Sequence, residues 1–181
     1  SDMDWVSSTN GWGPVERDRS NGESGSTDGN TITIGGVAYD KGLGVHAPSE
    51  VTYYLGGSFY KFTADVGVDD EVGDNGSVVF QVWADGQKIY DSGLVSGSDA
   101  AKNVDLDISG VDELQLVVTD GGDTKDYDHA NWADAKIYRI VDAMGMRAQV
   151  EQFAEEGEFA DDAAAHSLKL HLTAVSHYEG R

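Results

Sequence analysis

The sequence predicts an all-β domain, a β-sandwich, followed by a short C-terminal helical segment. Three observations carry that expectation. Short runs of alternating apolar and polar residues recur through the first 140 positions, and Gly, Asp, Asn and Ser clusters separate them. Near Ile140 the composition turns abruptly to Ala, Glu, Leu and Met. Period-two alternation puts successive side chains on opposite faces of a strand, as a sheet with one buried face requires.

Residues 31–34 and 37–39 flank Gly35-Gly36 and read as a hairpin. Further strands are predicted over 50–55, 60–68, 77–84, 87–91, 102–108, 113–119 and 132–138. Asp85-Gly86 is the strongest turn signal, because a two-residue hairpin loop favours residues that tolerate positive φ. From about Val141 the period becomes helical, with Met144, Met146, Val150 and Phe153 in one stripe and Leu168, Leu172 and Val175 in another, Gly157 between them. Residues 1–140 are therefore read as the sandwich and 141–181 as a helical tail. Two readings of the tail stand: a linker or the start of a following helical domain, or helices packed on the sandwich. His166, His171 and His177 lack a ligand spacing and read as solvated.

Antiparallel strands send every second loop to the same end. One end collects residues 44–49, 69–76, 92–101 and 120–131, rich in Asp, His and Asn; the other receives Gly56-Gly57, Asp85-Gly86 and Ser109-Gly110. Binding residues concentrate on loops held by a rigid scaffold, so the long-loop end is the expected site.

Twelve Lys and Arg against 33 Asp and Glu give a formal charge of -21. That field repels phosphate backbones and anionic headgroups, so nucleic acid and membrane surfaces are poor partners. It suits Ca²⁺ and neutral glycans, and it also serves solubility outside the cell. The absence of cysteine excludes disulfides and thiolate metal sites. No run of 18 apolar residues exists, and Ser1-Asp2-Met3-Asp4-Trp5 is not a signal peptide, so the chain is read as a domain of something longer.

Residues 126–135 form the densest polar-aromatic cluster, with Asp128, His129, Asn131 and Trp132. A sugar needs donors and acceptors for its hydroxyl pairs and an aromatic face for its C–H surface. The alternative places Trp132 in the core and leaves Asp128 and Asn131 as turn caps. Around Lys41-Gly42-Leu43-Gly44-Val45-His46-Ala47, glycines present His46 at a strand start. Asp69, Asp70, Glu71 and Asp74 crowd one loop, where like charges call for a cation such as Ca²⁺ or for hydrogen-bond donors. Residues 10–20 either wrap the sandwich through pairs of the Arg17–Asp18 type or line a site through Trp12 and Glu16; residues 21–30 read as a flexible loop. No G-x-S-x-G, H-E-x-x-H or phosphate-binding loop is present, although a carboxylate pair for glycoside hydrolysis has no sequence signature.

These segments resemble the NPCBM carbohydrate-binding modules, carbohydrate-binding module family 51. The resemblance runs from about Asp4 to Tyr138 and rests on Asp4-Trp5, Gly11-Trp12-Gly13-Pro14, Asp18-Arg19-Ser20, the 41–47 segment, Gly67-Val68-Asp69-Asp70-Glu71, residues 79–86 and residues 128–135. It implies a galactose-binding-domain-like jelly roll without catalysis of its own, a structural calcium ion, and a glycan site among the end loops. It also implies secretion and attachment, in the same chain, to a catalytic glycosidase domain acting on galactose-type glycans. The sugar contacts it implies are His46, Asp128, His129, Asn131 and Trp132, with Asp69, Asp70 and Glu71 serving sugar or metal. Asp18 and Asp134 are the implied calcium ligands. The competing expectation is a structural or interaction domain of a multi-domain glycosidase that binds no sugar itself.

Overall fold

The structure, a computed structural model, describes residues 2–141, 143–157 and 161–179. The chain forms two units, Ser1–Arg139 and Ile140–Arg181.

The first unit is built from twelve strands: β1 (Ser7–Thr9), β2 (Glu16–Arg17), β3 (Ile32–Ile34), β4 (Val37–Tyr39), β5 (Gly42–His46), β6 (Ser49–Tyr54), β7 (Phe59–Val68), β8 (Ser77–Ala84), β9 (Gln87–Ser96), β10 (Lys102–Asp107), β11 (Glu113–Thr119) and β12 (His129–Arg139). Two antiparallel five-stranded sheets, ordered β1-β6-β11-β8-β9 and β10-β7-β12-β5-β2, face each other, and β3-β4 is a separate hairpin. The alternation that predicted the strands is the alternation that buries them. In β8 every second residue, Val78, Phe80, Val82 and Ala84, is buried, and in β11 Leu114, Leu116 and Val118 are. Their partners in the core come from β7 and β12, chiefly Phe62, Ala64, Val66 and Trp132.

Trp132 is fully buried at the centre. Its ring meets Phe80 edge-on at 5.1 Å between centroids and lies tilted against Phe62 at 6.2 Å. The expectation of a sugar contact at Trp132 is therefore corrected: alternation along β12 turns this side chain inward, where no ligand reaches it.

The strand ends carry the loops as anticipated. His129 pairs with His46 across β12 and β5, and the Asp69 amide donates to the His129 carbonyl at 2.8 Å, so three loop ends meet at one place. The Gly97 amide donates to Gly76, joining a fourth. At the other end Leu55 donates to Asp112, and the Asp85 carboxylate accepts from the Asp112 and Glu113 amides.

Four features differ from the sequence expectation. Residues 42–46, read as a glycine-rich lead into His46, form a strand buried along its whole length. Gly44 explains the disguise: a Cβ there would strike the backbone of Arg19, Ser20 and Asn21, which crosses directly over β5. Strand β9 runs on to Ser96, shortening the expected 92–101 loop to 97–101. Strand β12 begins at His129 rather than at 132. The short strands β1 and β2 carry no alternation long enough to read.

The second unit holds α1 (Ala143–Glu155) and α2 (Asp162–Glu179). Val150 and Ala165 are buried in it, and the Arg147 guanidinium links the helices by donating to the Thr173 hydroxyl at 3.3 Å. Phe153, Leu168 and Val175, which belong to the stripes at helical spacing, are exposed. His166 and His171 are exposed, as read; the His177 side chain lies outside the described residues.

Trp132→Ala removes the largest fully buried side chain and leaves a cavity that the two sheets cannot close. The expected outcome is a loss of about 3–5 kcal/mol in unfolding free energy, measured by chemical denaturation.

Candidate functional site

Beneath the loops lies a layer of buried polar side chains. Asp69, fully buried, accepts from the Thr33 amide (3.1 Å), the Thr33 hydroxyl (3.3 Å), the Glu71 amide (3.0 Å) and the Asn131 side-chain amide (2.7 Å). Burial pushes its carboxyl up, against the pull of those donors. Through the Glu71 amide Asp69 caps the single 3₁₀ turn Asp70–Val72, and so fixes where Glu71 points. Glu16, also fully buried, accepts from the Gly22 amide at 2.6 Å and the Gly29 amide at 3.1 Å. It pins both ends of a loop that the sequence presented as flexible. Asp128 accepts from the Ser77 amide at 2.9 Å, and its Oδ2 has no partner among the described residues. Burial, together with Asp123, Asp120 and Asp126 nearby, raises its pKa to about 6.

Above this layer is an open cavity of ≈ 630 Å³. Glu23, Asp28, Asn30, Glu71, Tyr127 and His129 provide its chemistry. His129 stands at the centre, with Nδ1 at 2.7 Å from Glu71 Oε1 and Nε2 at 3.1 Å from Glu23 Oε1. Glu71 Oε2 accepts from the Ser20 hydroxyl (3.1 Å) and the Asn30 amide (3.0 Å). His46 packs its ring against the edge of His129 at 5.2 Å and hydrogen-bonds the Ala47 carbonyl. Tyr127 is 59% exposed, in a positive-φ turn packed against Gly76, where a Cβ would meet the Tyr127 carbonyl.

Of the residues the sequence nominated, His129 and Glu71 line this cavity, and His46 lies beside it. Asp69 and Asn131 are buried below, as supports. Asp128 is buried at the foot of the 120–128 loop. Asp70 points elsewhere, accepting from the Gly35 and Gly36 amides at 2.7 and 2.8 Å. Asp69, Asp128, Asn131 and Asp70, expected as sugar contacts with Asp69 and Asp70 serving sugar or metal, do not line this cavity; the first three are buried and bond to backbone or to one another, with Asp128 Oδ2 and Asn131 Oδ1 left without a partner among the described residues. Glu23, Asp28 and Asn30 were not anticipated, because the 21–30 loop reads as turn residues and its anchoring by Glu16 is a tertiary contact. The 10–20 segment wraps the sandwich, with Arg17 paired to Asp4 at 2.9 Å and stacked on Trp5. Trp12 is 51% exposed beneath the Lys125 ammonium.

Asp18 and Asp134 each contact Lys41 at the opposite end of β5: the Lys41 ammonium donates to Asp18, and the Asp134 amide donates to the Lys41 carbonyl at 2.8 Å. Each carboxylate, however, holds an ammonium: Lys41 at 3.0 Å from Asp18 and Lys136 at 2.7 Å from Asp134. Among the described residues no group of three or more His, Asp or Glu could hold a metal ion. These side chains do not by themselves form a calcium cage. A second cavity, of ≈ 290 Å³, opens between the sheets at that end, walled by Leu43, Tyr53, Phe62, Leu116 and Ile137. Asp2, Lys41, Asp134 and Lys136 also line it; burial pushes the Tyr53 phenol up to about 12.

The two histidines respond to pH in opposite ways. Burial opposes charge on His129, yet Glu71 and Glu23 together hold its pKa above the ordinary imidazole value. Burial dominates at His46, aided by repulsion from His129 and Lys125, and lowers its pKa despite the Ala47 carbonyl. His129 therefore contributes stability below the ordinary imidazole pKa, lost as pH rises through its raised folded pKa. His46, neutral in the fold, subtracts stability as pH falls below the ordinary value, because the unfolded chain gains the proton. The melting temperature, followed from about pH 5 to about pH 9, should fall on the alkaline side of the imidazole range, and His129→Gln should remove that fall.

The NPCBM/NEW2 domain family matches residues 1–138, and the FIMAH domain family matches residues 143–181. A Renibacterium salmoninarum protein named "Putative endo-alpha-N-acetylgalactosaminidase" is 41% identical over 138 residues, 76% of this chain and 9% of that protein. "Alpha-1,3-galactosidase B" of Akkermansia muciniphila is 29% identical over 130 residues, 70% of this chain and 16% of that protein. The chain thus spans only a small part of either relative. Among solved structures, CBM51 from Clostridium perfringens GH95 in complex with methyl-galactose is 42% identical, covering 75% of this chain and 94% of that chain with a TM-score of 0.68. CBM51-2 in complex with GlcNAc and INT domains from Clostridium perfringens ZmpB is 28% identical, covering 95% of this chain and 38% of that chain with a TM-score of 0.70. The chain belongs to the NPCBM/NEW2 family, whose sandwich is a non-catalytic carbohydrate-binding module found as one part of larger glycosidases.

Proposed function

We propose that the His129 cavity binds a terminal galactose-type sugar and so holds an attached glycosidase domain, outside the cell, on its glycan substrate. The observation that carries this reading is the cavity itself: an acceptor-rich, pre-formed array beside one exposed aromatic ring. A carboxylate offers about four lone-pair positions. Glu71 uses three of them on His129, Ser20 and Asn30, while Glu23 uses one on His129 and Asp28 one on the Gly25 amide. The remainder face the hydroxyl donors of a sugar. Tyr127 supplies the apolar surface on which the C–H face of a pyranose ring stacks.

Galactose, rather than another sugar, is supported by the neighbour in complex with methyl-galactose, which shares 42% identity, and by the glycosidase names of the curated relatives. The net charge of -21 and the absence of any helix, among the described residues, long and apolar enough to cross a membrane accord with work in solution on neutral glycans. A single shallow site binds weakly, and its value lies in raising the local substrate concentration of the domain it is tethered to.

Titration calorimetry with methyl-galactoside tests this. Wild type should bind, and His129→Ala and Tyr127→Ala should each weaken binding by about ten-fold or more, about 1.4 kcal/mol. Both variants should keep the wild-type circular dichroism, since neither side chain belongs to the hydrophobic core. A wild-type chain that binds no glycan on an array would favour a structural or interaction domain instead.

A further inference from the structure

The cavity is unusual in the sign of everything around it. Glu23, Asp28 and Glu71 line it, and among the described residues no Lys or Arg does. The one lining ring that can carry positive charge, His129, is already shared between two of those carboxylates. Two nearby cations are turned to other work: the Arg19 guanidinium donates to the Gly29 carbonyl at 3.0 Å, and the Lys125 ammonium donates to the Gly11 carbonyl at 2.9 Å while sitting over Trp12. The chain as a whole adds a field of the same sign. A hydroxyl can donate to the open lone pairs of Glu23 and Asp28. A sulfate or carboxylate, which only accepts at neutral pH, finds no Lys or Arg among the described lining residues to offset its charge and meets the like charge of three carboxylates.

We propose, resting on the sugar-site reading above, that the cavity selects uncharged glycan termini and rejects those capped by sialic acid or sulfate. A place in a reaction sequence follows from that chemistry. A hydrolysis that removes anionic caps, releasing sialic acid or inorganic sulfate and leaving a free hydroxyl, must act before this module can hold its enzyme on a capped glycan.

The test separates charge from bulk. Binding of the intact chain is measured to an immobilised galactose-terminated disaccharide, to its sialylated form, and to the methyl ester of that sialylated form, which keeps the bulk and loses the charge. The disaccharide should bind, the sialylated form should bind at least about ten-fold more weakly, and the ester should recover most of the difference. Raising salt to about 1 M, where the screening length falls to about 3 Å, should narrow the gap between acid and ester. The double variant Glu23→Gln, Asp28→Asn should narrow the same ratio, whatever it does to absolute affinity. If the acid binds as tightly as the uncapped sugar, or the ester as poorly as the acid, charge selection is overturned while sugar binding stands. If the uncapped disaccharide does not bind at all, the sugar-site reading fails and this inference fails with it.

Discussion

The candidate site hangs on one buried carboxylate. Asp69 gathers donors from three stretches far apart in sequence, at Thr33, Glu71 and Asn131, and these belong respectively to a separate hairpin, a loop and the central strand of one sheet. A charge taken out of water is tolerated only where hydrogen bonds replace the solvent it lost. The converse gives the group its structural power: each of the three stretches is fixed where it must be to satisfy Asp69. Glu71 is aimed by that constraint, and His129 is aimed by Glu71. Glu16 plays the matching part from the other side, holding the loop that carries Glu23 and Asp28 through two backbone amides.

The result is a site made of irregular backbone yet held by side chain-to-backbone bonds rather than by helix or sheet. Loops of this kind lose little further freedom when a ligand arrives, which lowers the entropy cost of binding. Not every member of the layer is satisfied. Asp128 buries one oxygen without a partner among the described residues, and burial, with Asp123, Asp120 and Asp126 nearby, raises its pKa to about 6.

Much of the sandwich was legible because its strands alternate cleanly, as β8 and β11 do. The strand at 42–46 was not, since two of its five residues are glycines needed for close backbone approach, and its residues are buried on both faces rather than one. In the site, residue type pointed to His129 and Glu71 but overstated their neighbours. Asp69, Asp128 and Asn131 have the chemistry of sugar contacts and the burial of supports, and sequence conveys chemistry without burial. Trp132 fell on the core side of a strand whose register turns on a single residue. The loop bearing Glu23 and Asp28 was opaque for a plainer reason. Its order comes from Glu16, whose burial depends on tertiary contacts that no local pattern records.

The most direct measurement is an amide chemical-shift titration of the intact chain with methyl-galactoside. Perturbations should gather at Glu23, Asn30, Glu71, Tyr127 and His129, with little change in the sheets beneath, as expected of a pre-formed cavity. Shifts that instead gather at the opposite end, around Leu43, Tyr53 and Ile137, or that spread through the sheets, would contradict it.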